Sequence, residues 1–217
     1  IRDIHLSRGE MVPAYAEQKK LMRHRGKDAT PADHALFTAL RHEKAVARLA
    51  QGKADDAERR FRDIMKEEPS FCPAHVALSD HLRTRDLNEA TEILLQGFRA
   101  TRSPVFLIKL EDLCIETERP QSMIRIYSRL QQEFPSDYDV HLFMGKFFLR
   151  LEMIDEGLEQ LLKAEPLEPE RESLHILLAE AFRRRSRFES ACKHYQLAYG
   201  YKRRYLIPFR CSTCGSP

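Results

Sequence analysis

The sequence predicts an all-α protein made of helical hairpins stacked in series, and three observations predict it. A compact residue recurs at Ala57, Ala90, Met123, Gly157 and Ala191, in steps of 33, 33, 34 and 34 residues. Such an interval marks a repeated supersecondary unit. Four residues after each stands a bulky partner, Phe61, Leu94, Tyr127, Leu161 or Tyr195, and three further on Ile64, Gly97, Leu130, Ala164 or Ala198. Positions i, i+4 and i+7 share one face of a helix with 3.6 residues per turn. Composition agrees: eight glycines and eleven prolines in 217 residues are too few for a turn-rich β protein, while 42% hydrophobic and 32% charged content excludes a disordered chain.

Taken in order, residues 1–22 read as the remains of a preceding repeat. Ala14, Gln18 and Leu21 keep the second-helix spacing, with Gly9 at the turn before them. The interval from Ala14 to Ala57 is 43 residues, so nine or ten are extra, and they are expected in a polar connection from Arg23 to Asp33. Thr30-Pro31 predicts the next helix start, which makes 23–37 a longer connection and helix start. Because the chain opens on Ile1 with helical pattern already under way, it is expected to be a piece of something longer.

Residues 38–204 hold five hairpins. Their first helices pass through Ala45, Leu78, Glu111, Gly145 and Ala179, followed three residues later by Arg48, His81, Cys114, Phe148 and Phe182. Pro69, Pro135 and Pro169, with Pro104 displaced by two, mark helix stops. The restriction to small residues is physical: two helices approach to about 8–10 Å only where a small side chain on one receives a bulky one from the other. Cys72, Cys114 and Cys192 fall singly within this pattern and are expected to be small buried hydrophobes; a reducing compartment fits all five thiols.

The clearest unit runs Met144-Gly145-x-x-Phe148, Gly157-x-x-x-Leu161-x-x-Ala164 and Pro169, and it resembles the tetratricopeptide repeat family. Glu111, Arg48 and the lack of Trp depart from that pattern, so the first and third repeats are degenerate copies. The resemblance implies a right-handed superhelical solenoid whose first helices line a concave groove. Arg83, Lys109, Lys146, Arg150, Arg183 and Arg184 then fall on its inner or edge side as candidate partner-binding residues, with ordinary surface charge as the alternative for each.

Residues 205–217 change character. Phe209-Arg210-Cys211-Ser212-Thr213-Cys214-Gly215 sets two thiols two residues apart, a spacing that lets both thiolates meet one metal. It looks like the first knuckle of a rubredoxin-type or zinc-ribbon site, truncated because a tetrahedral centre needs four ligands and the chain supplies two here. A redox dithiol and incidental thiols are the alternatives. Iron and zinc both accept four thiolates, so ligand type does not choose between them. With two ligands missing, no metal is expected to stay bound to these residues alone.

Repeats, an enlarged early interval and this terminal knuckle together resemble the lipopolysaccharide assembly protein B family. That resemblance implies a non-enzymatic adaptor on the cytoplasmic face of the bacterial inner membrane. It brings the lipid A pathway deacetylase to an FtsH-type membrane protease, with Cys211 and Cys214 as two metal ligands. The anchor of such a protein would lie outside this chain, which is expected to be soluble by itself. A generic scaffold with unrelated partners shares every feature but the tail.

Charge adds one asymmetry. The whole chain carries +3, yet residues 183–210 hold nine Lys/Arg against Glu189 alone. This end is therefore expected to face lipopolysaccharide, an anionic lipid surface or an acidic protein, or simply solvent. Nucleic acid, with Tyr199, Tyr201 and Tyr205 available to stack, is disfavoured. His42, His75, His141 and His175 recur at 33 or 34 residues, but a metal ladder would need donors about 2 Å from one ion while stacked helices stand about 8–10 Å apart. They are expected at the surface or at a partner contact. No Gly-rich phosphate loop, His-Glu-x-x-His helix or nucleophile turn appears, which disfavours an enzyme.

Overall fold

The computed structural model describes residues 2–200, and among them every regular element is helical. The chain divides into two compact units, one ending at Glu118 and the other beginning at Arg119. The first contains α1 (Arg2–Ser7), α2 (Met11–Arg25), α3 (Pro31–Ala50), α4 (Ala54–Glu67), α5 (Cys72–Leu82), α6 (Leu87–Thr101) and α7 (Val105–Glu116). The second contains α8 (Pro120–Glu133), α9 (Tyr138–Arg150), α10 (Ile154–Ala164), α11 (Glu172–Arg184) and α12 (Phe188–Ala198). Within each unit every helix packs on its neighbours in the chain, and the short connections make those neighbours antiparallel. The sequence period thus becomes an all-α helical-repeat fold. The boundary falls inside the third predicted hairpin, between α7 and α8.

The recurring positions form the seams. Ala57, Phe61 and Ile64 of α4 are fully buried, as are Met123, Tyr127 and Leu130 of α8. In the second unit Leu149, Leu158, Leu161, Leu174, Leu178 and Phe182 join in one apolar cluster. Burying a side chain of this size stabilises by about 1.5–3 kcal/mol. Several hairpin turns place one residue in the left-handed region, among them Gly9 (φ 70°), Gly52 (72°), Glu152 (60°) and Ser186 (57°). Two of these positions use glycine, which adopts that conformation freely, and two do not.

Three expectations are corrected. The extra residues between Ala14 and Ala57 do not form a long polar loop. Helix α2 continues to Arg25, a single 3₁₀ turn covers Gly26–Asp28, and α3 begins at Pro31. Thr30 caps α3 reciprocally with Asp33, and Asp33 also meets Arg25 while its carbonyl accepts from the buried Gln18 amide at 2.9 Å. These contacts let both helices lengthen into the space a loop would have filled. Of the scattered thiols only Cys114 is buried; Cys72 is half-buried at the start of α5, and Cys192 is exposed because it follows the seam residue Ala191 and so points away. Three of the four recurring histidines, finally, are not at the surface: His75, His141 and His175 are buried, for a reason their hydrogen bonds supply below, while His42 is half-buried. Residues 205–217, with Cys211 and Cys214, lie outside the described residues.

Candidate functional site

Of the basic residues singled out for the first-helix face, Arg83, Lys109 and Arg184 pair with carboxylates of neighbouring elements and Arg183 with one on its own helix. In the first unit Arg83, just past α5, donates to both carboxylate oxygens of Glu116 at the end of α7 (3.0 and 3.2 Å). Lys109 of α7 reaches back to Asp80 of α5 at 3.4 Å. These two bridges border a polar notch of about 40 Å³ that Ser79 and Asp112 also line. In the second unit Arg184 donates to Glu180 (2.7 Å), to Glu152 (3.2 Å) and to the Leu149 carbonyl (3.0 Å). Arg183 grips both oxygens of Glu180 at 2.7 Å. The two guanidiniums pull the Glu180 carboxyl down to about 2. Lys146 stands over the Phe143 ring at 5.4 Å, and Arg150, at the end of α9, is engaged as well. Arg185 pairs with Asp155 at 2.9 Å, so the start of the basic 183–210 segment is partly neutralised within the chain.

The structure therefore brings Arg83 and Lys109 together in one unit and Arg183 and Arg184 together in the other, each among charges of opposite sign. Sequence pattern could not show the pairing, since Glu116 and Glu152 lie 33 and 32 residues away. Exposed pairs of this kind are worth about 0–1 kcal/mol, so they present both signs at the surface without being locked.

A second surface was not signalled by sequence. Between α4 and α6 runs a cleft of about 450 Å³. Met65, Leu78, Ile93 and Pro69 give it an apolar floor, with His75 beside them. Its rim carries the Arg62–Glu89 bridge (2.7 Å) together with Lys66 and Glu92. The signal that could have found it is Met65, one residue after the seam position Ile64.

The buried histidines follow a rule that the repeat makes visible. His141 and His175 sit at equivalent places near the starts of α9 and α11, and each Nε2–H donates to the carbonyl of the proline six residues earlier: Pro135 at 2.9 Å and Pro169 at 2.7 Å. Each Nδ1 faces the side chain nineteen positions on, in the second helix: the Gln160 amide at 3.0 Å for His141, and His194 Nδ1 at 3.1 Å for His175. Both ring nitrogens are thus satisfied, which is what lets an imidazole be buried. The His194 ring also stacks on Phe182, centroids 5.3 Å apart, and Glu165 Oε1 lies 3.9 Å from its Nδ1. His75 instead turns Nδ1 toward the Phe71 carbonyl at 3.4 Å and lies edge-on to Phe106; burial pushes its pKa down.

No family model matches the chain. A curated relative, the surface lipoprotein assembly modifier of Pasteurella multocida, is 30% identical over 88 residues, 41% of this chain. The chain spans 17% of that relative's length. Among solved structures, the chain is similar to MamA residues 41 to the end from Desulfovibrio magneticus RS-1 (15% identity, TM-score 0.48, covering 77% of this chain and 96% of that one). It is also similar to PilF of Pseudomonas aeruginosa (18% identity, TM-score 0.48, covering 75% of each). Among the described residues no helix is long and apolar enough to cross a membrane.

Proposed function

We propose that the chain is a non-enzymatic adaptor that binds other proteins through its repeat surfaces. The observation that carries this reading is the cleft between α4 and α6. An apolar floor of Met65, Leu78 and Ile93 under a rim of both charge signs suits an aliphatic or aromatic anchor flanked by polar groups, the arrangement that dominates protein–protein binding energy. The two-signed first-helix faces around Arg83–Glu116 and Arg184–Glu152 supply a second, polar contact area. A photo-crosslinking residue at Lys66 in the full-length protein is expected to capture a defined partner, and Met65→Glu is expected to abolish capture while leaving the helical circular dichroism intact. Capture that survives Met65→Glu unchanged would remove the cleft from the reading.

The finer reading rests on the resemblance of the repeats and the Cys211-x-x-Cys214 knuckle. In it the partners are the lipid A pathway deacetylase and an FtsH-type protease at the cytoplasmic face of the inner membrane. Cys211 and Cys214 are two of four ligands to iron or zinc, and lipopolysaccharide or anionic lipid is a further contact for the basic end. Direct binding of each purified partner to the full-length protein tests it, together with the deacetylase half-life in cells. If neither partner binds, the chain is a scaffold for others.

A further inference from the structure

The geometry points to a binding site for a zinc-class divalent transition metal, formed by Glu165, His175 and His194 in the second unit. The donor atoms of these three residues lie within 4.8 Å of one another. The closest pair, His175 Nδ1 and His194 Nδ1, is separated by 3.1 Å. Two nitrogens bound at about 2.0–2.1 Å to a tetrahedral zinc stand roughly 3.3 Å apart, so the pair needs to open by only a few tenths of an ångström.

The ring of His175 is set for this role by its other side. Its Nε2 donates to the Pro169 carbonyl at 2.7 Å, which fixes the proton there and leaves Nδ1 as a lone pair aimed at His194. A metal-bound histidine is held in its tautomer by this kind of outer contact. In the absence of an ion, the His194 Nδ1 proton bridges to His175 Nδ1; an ion replaces that proton, which moves to the other nitrogen of the His194 ring.

The preceding hairpin provides an internal control. His141 repeats the proline-carbonyl contact, but the partner nineteen residues on is Gln160, an amide, and His141 is held by hydrogen bonds alone. Exchanging that amide for an imidazole in the last hairpin, and adding the Glu165 carboxylate, changes a structural pair into a set of two nitrogen donors and one anionic oxygen donor. Imidazole donors favour zinc, nickel or copper over calcium or magnesium. Both histidines are buried while Glu165 stays partly exposed at the end of α10, so solvent reaches the carboxylate of the set. A bound ion would tie the end of α10 to α11 and α12.

The test uses the full chain with Cys192→Ser, Cys211→Ser and Cys214→Ser, which removes the exposed thiol beside His194 and the Cys-x-x-Cys pair as competing ligands. Zinc chloride titrated calorimetrically is expected to bind at one equivalent and to raise the melting midpoint in a concentration-dependent way. Cobalt(II) bound there is expected to show no thiolate charge-transfer band. His194→Gln installs the residue found in the preceding hairpin, preserves a partner for His175, and is expected to fold but to lose the equivalent. Glu165→Gln, at the partly exposed ligand, is expected to weaken binding at least tenfold. Absence of zinc binding to the serine chain, or parental zinc affinity retained by His194→Gln or by Glu165→Gln, would overturn the proposal.

Discussion

Gly145 and Gly157 meet backbone to backbone across the α9–α10 seam: a Cβ placed on either would lie 3.1 Å from the carbonyl oxygen of the other. The same Cβ on Gly145 would lie 2.7 Å from Leu161 Cγ. A flexible leucine can turn aside, but the Gly157 carbonyl cannot move without shifting α10. Gly145→Ala therefore overpacks the seam by about 1–3 kcal/mol, offset by roughly 1 kcal/mol of helix propensity. Gly145→Leu escapes that compensation. Urea denaturation is expected to show a lowered midpoint for both, with leucine the worse; an unchanged midpoint for leucine would mean that the helices do not touch here.

Thr30→Ala removes the side chain that accepts from the Asp33 N–H and leaves the first turn of α3 uncapped. A loss of about 1 kcal/mol is expected. Hydrogen exchange should localise it, with faster exchange at the start of α3 and little change in the second unit.

Ser186 and Glu152 occupy left-handed turn positions where Gly52 and Gly9 serve elsewhere. A side chain there costs roughly 1–2 kcal/mol, of which glycine gives part back through its freer unfolded state. Ser186→Gly is expected to raise stability by about 0.5–1 kcal/mol. A lower melting temperature would contradict this.

Acid should weaken the first unit through His75. Burial holds its pKa below the ordinary value near 6.5, so between the two values the unfolded chain binds a proton that the folded chain refuses. Its contribution is complete above about pH 6.5 and is lost as pH falls below it. Stability measured at pH 7.5 and 5.5 is expected to differ less in His75→Leu than in the parent. An equal difference in both would assign the acid sensitivity to other groups.

The repeat was legible because compact seam residues such as Ala57, Ala90 and Gly157 must recur wherever hairpins stack, and spacing alone reveals them. The histidine contacts were not, because the position nineteen residues after each first-helix site holds Phe61, Leu94, Tyr127, Gln160 and His194, residues with no shared chemistry. Ile108 stands where the other repeats place histidine and is 45% exposed, while Glu111 at a seam position is buried. Amphipathic spacing identifies a helix face but does not say which neighbour meets it. The early connection is hidden from sequence for a related reason: the contacts that let α2 and α3 lengthen run from Gln18 and Arg25 to Asp33, and polar residues in a row look like a loop until their partners are seen.

The Arg83–Glu116 and Arg184–Glu152 bridges have one further consequence. A visiting protein that offers its own carboxylate to Arg83, or its own guanidinium to Glu152, swaps one weak pair for another, and the total of ion pairs stays nearly level. Attachments made by such exchange come apart as readily as they form, and they fade as salt shortens the reach of each charge. An adaptor that must take up a client and let it go is well served by a face already engaged with itself.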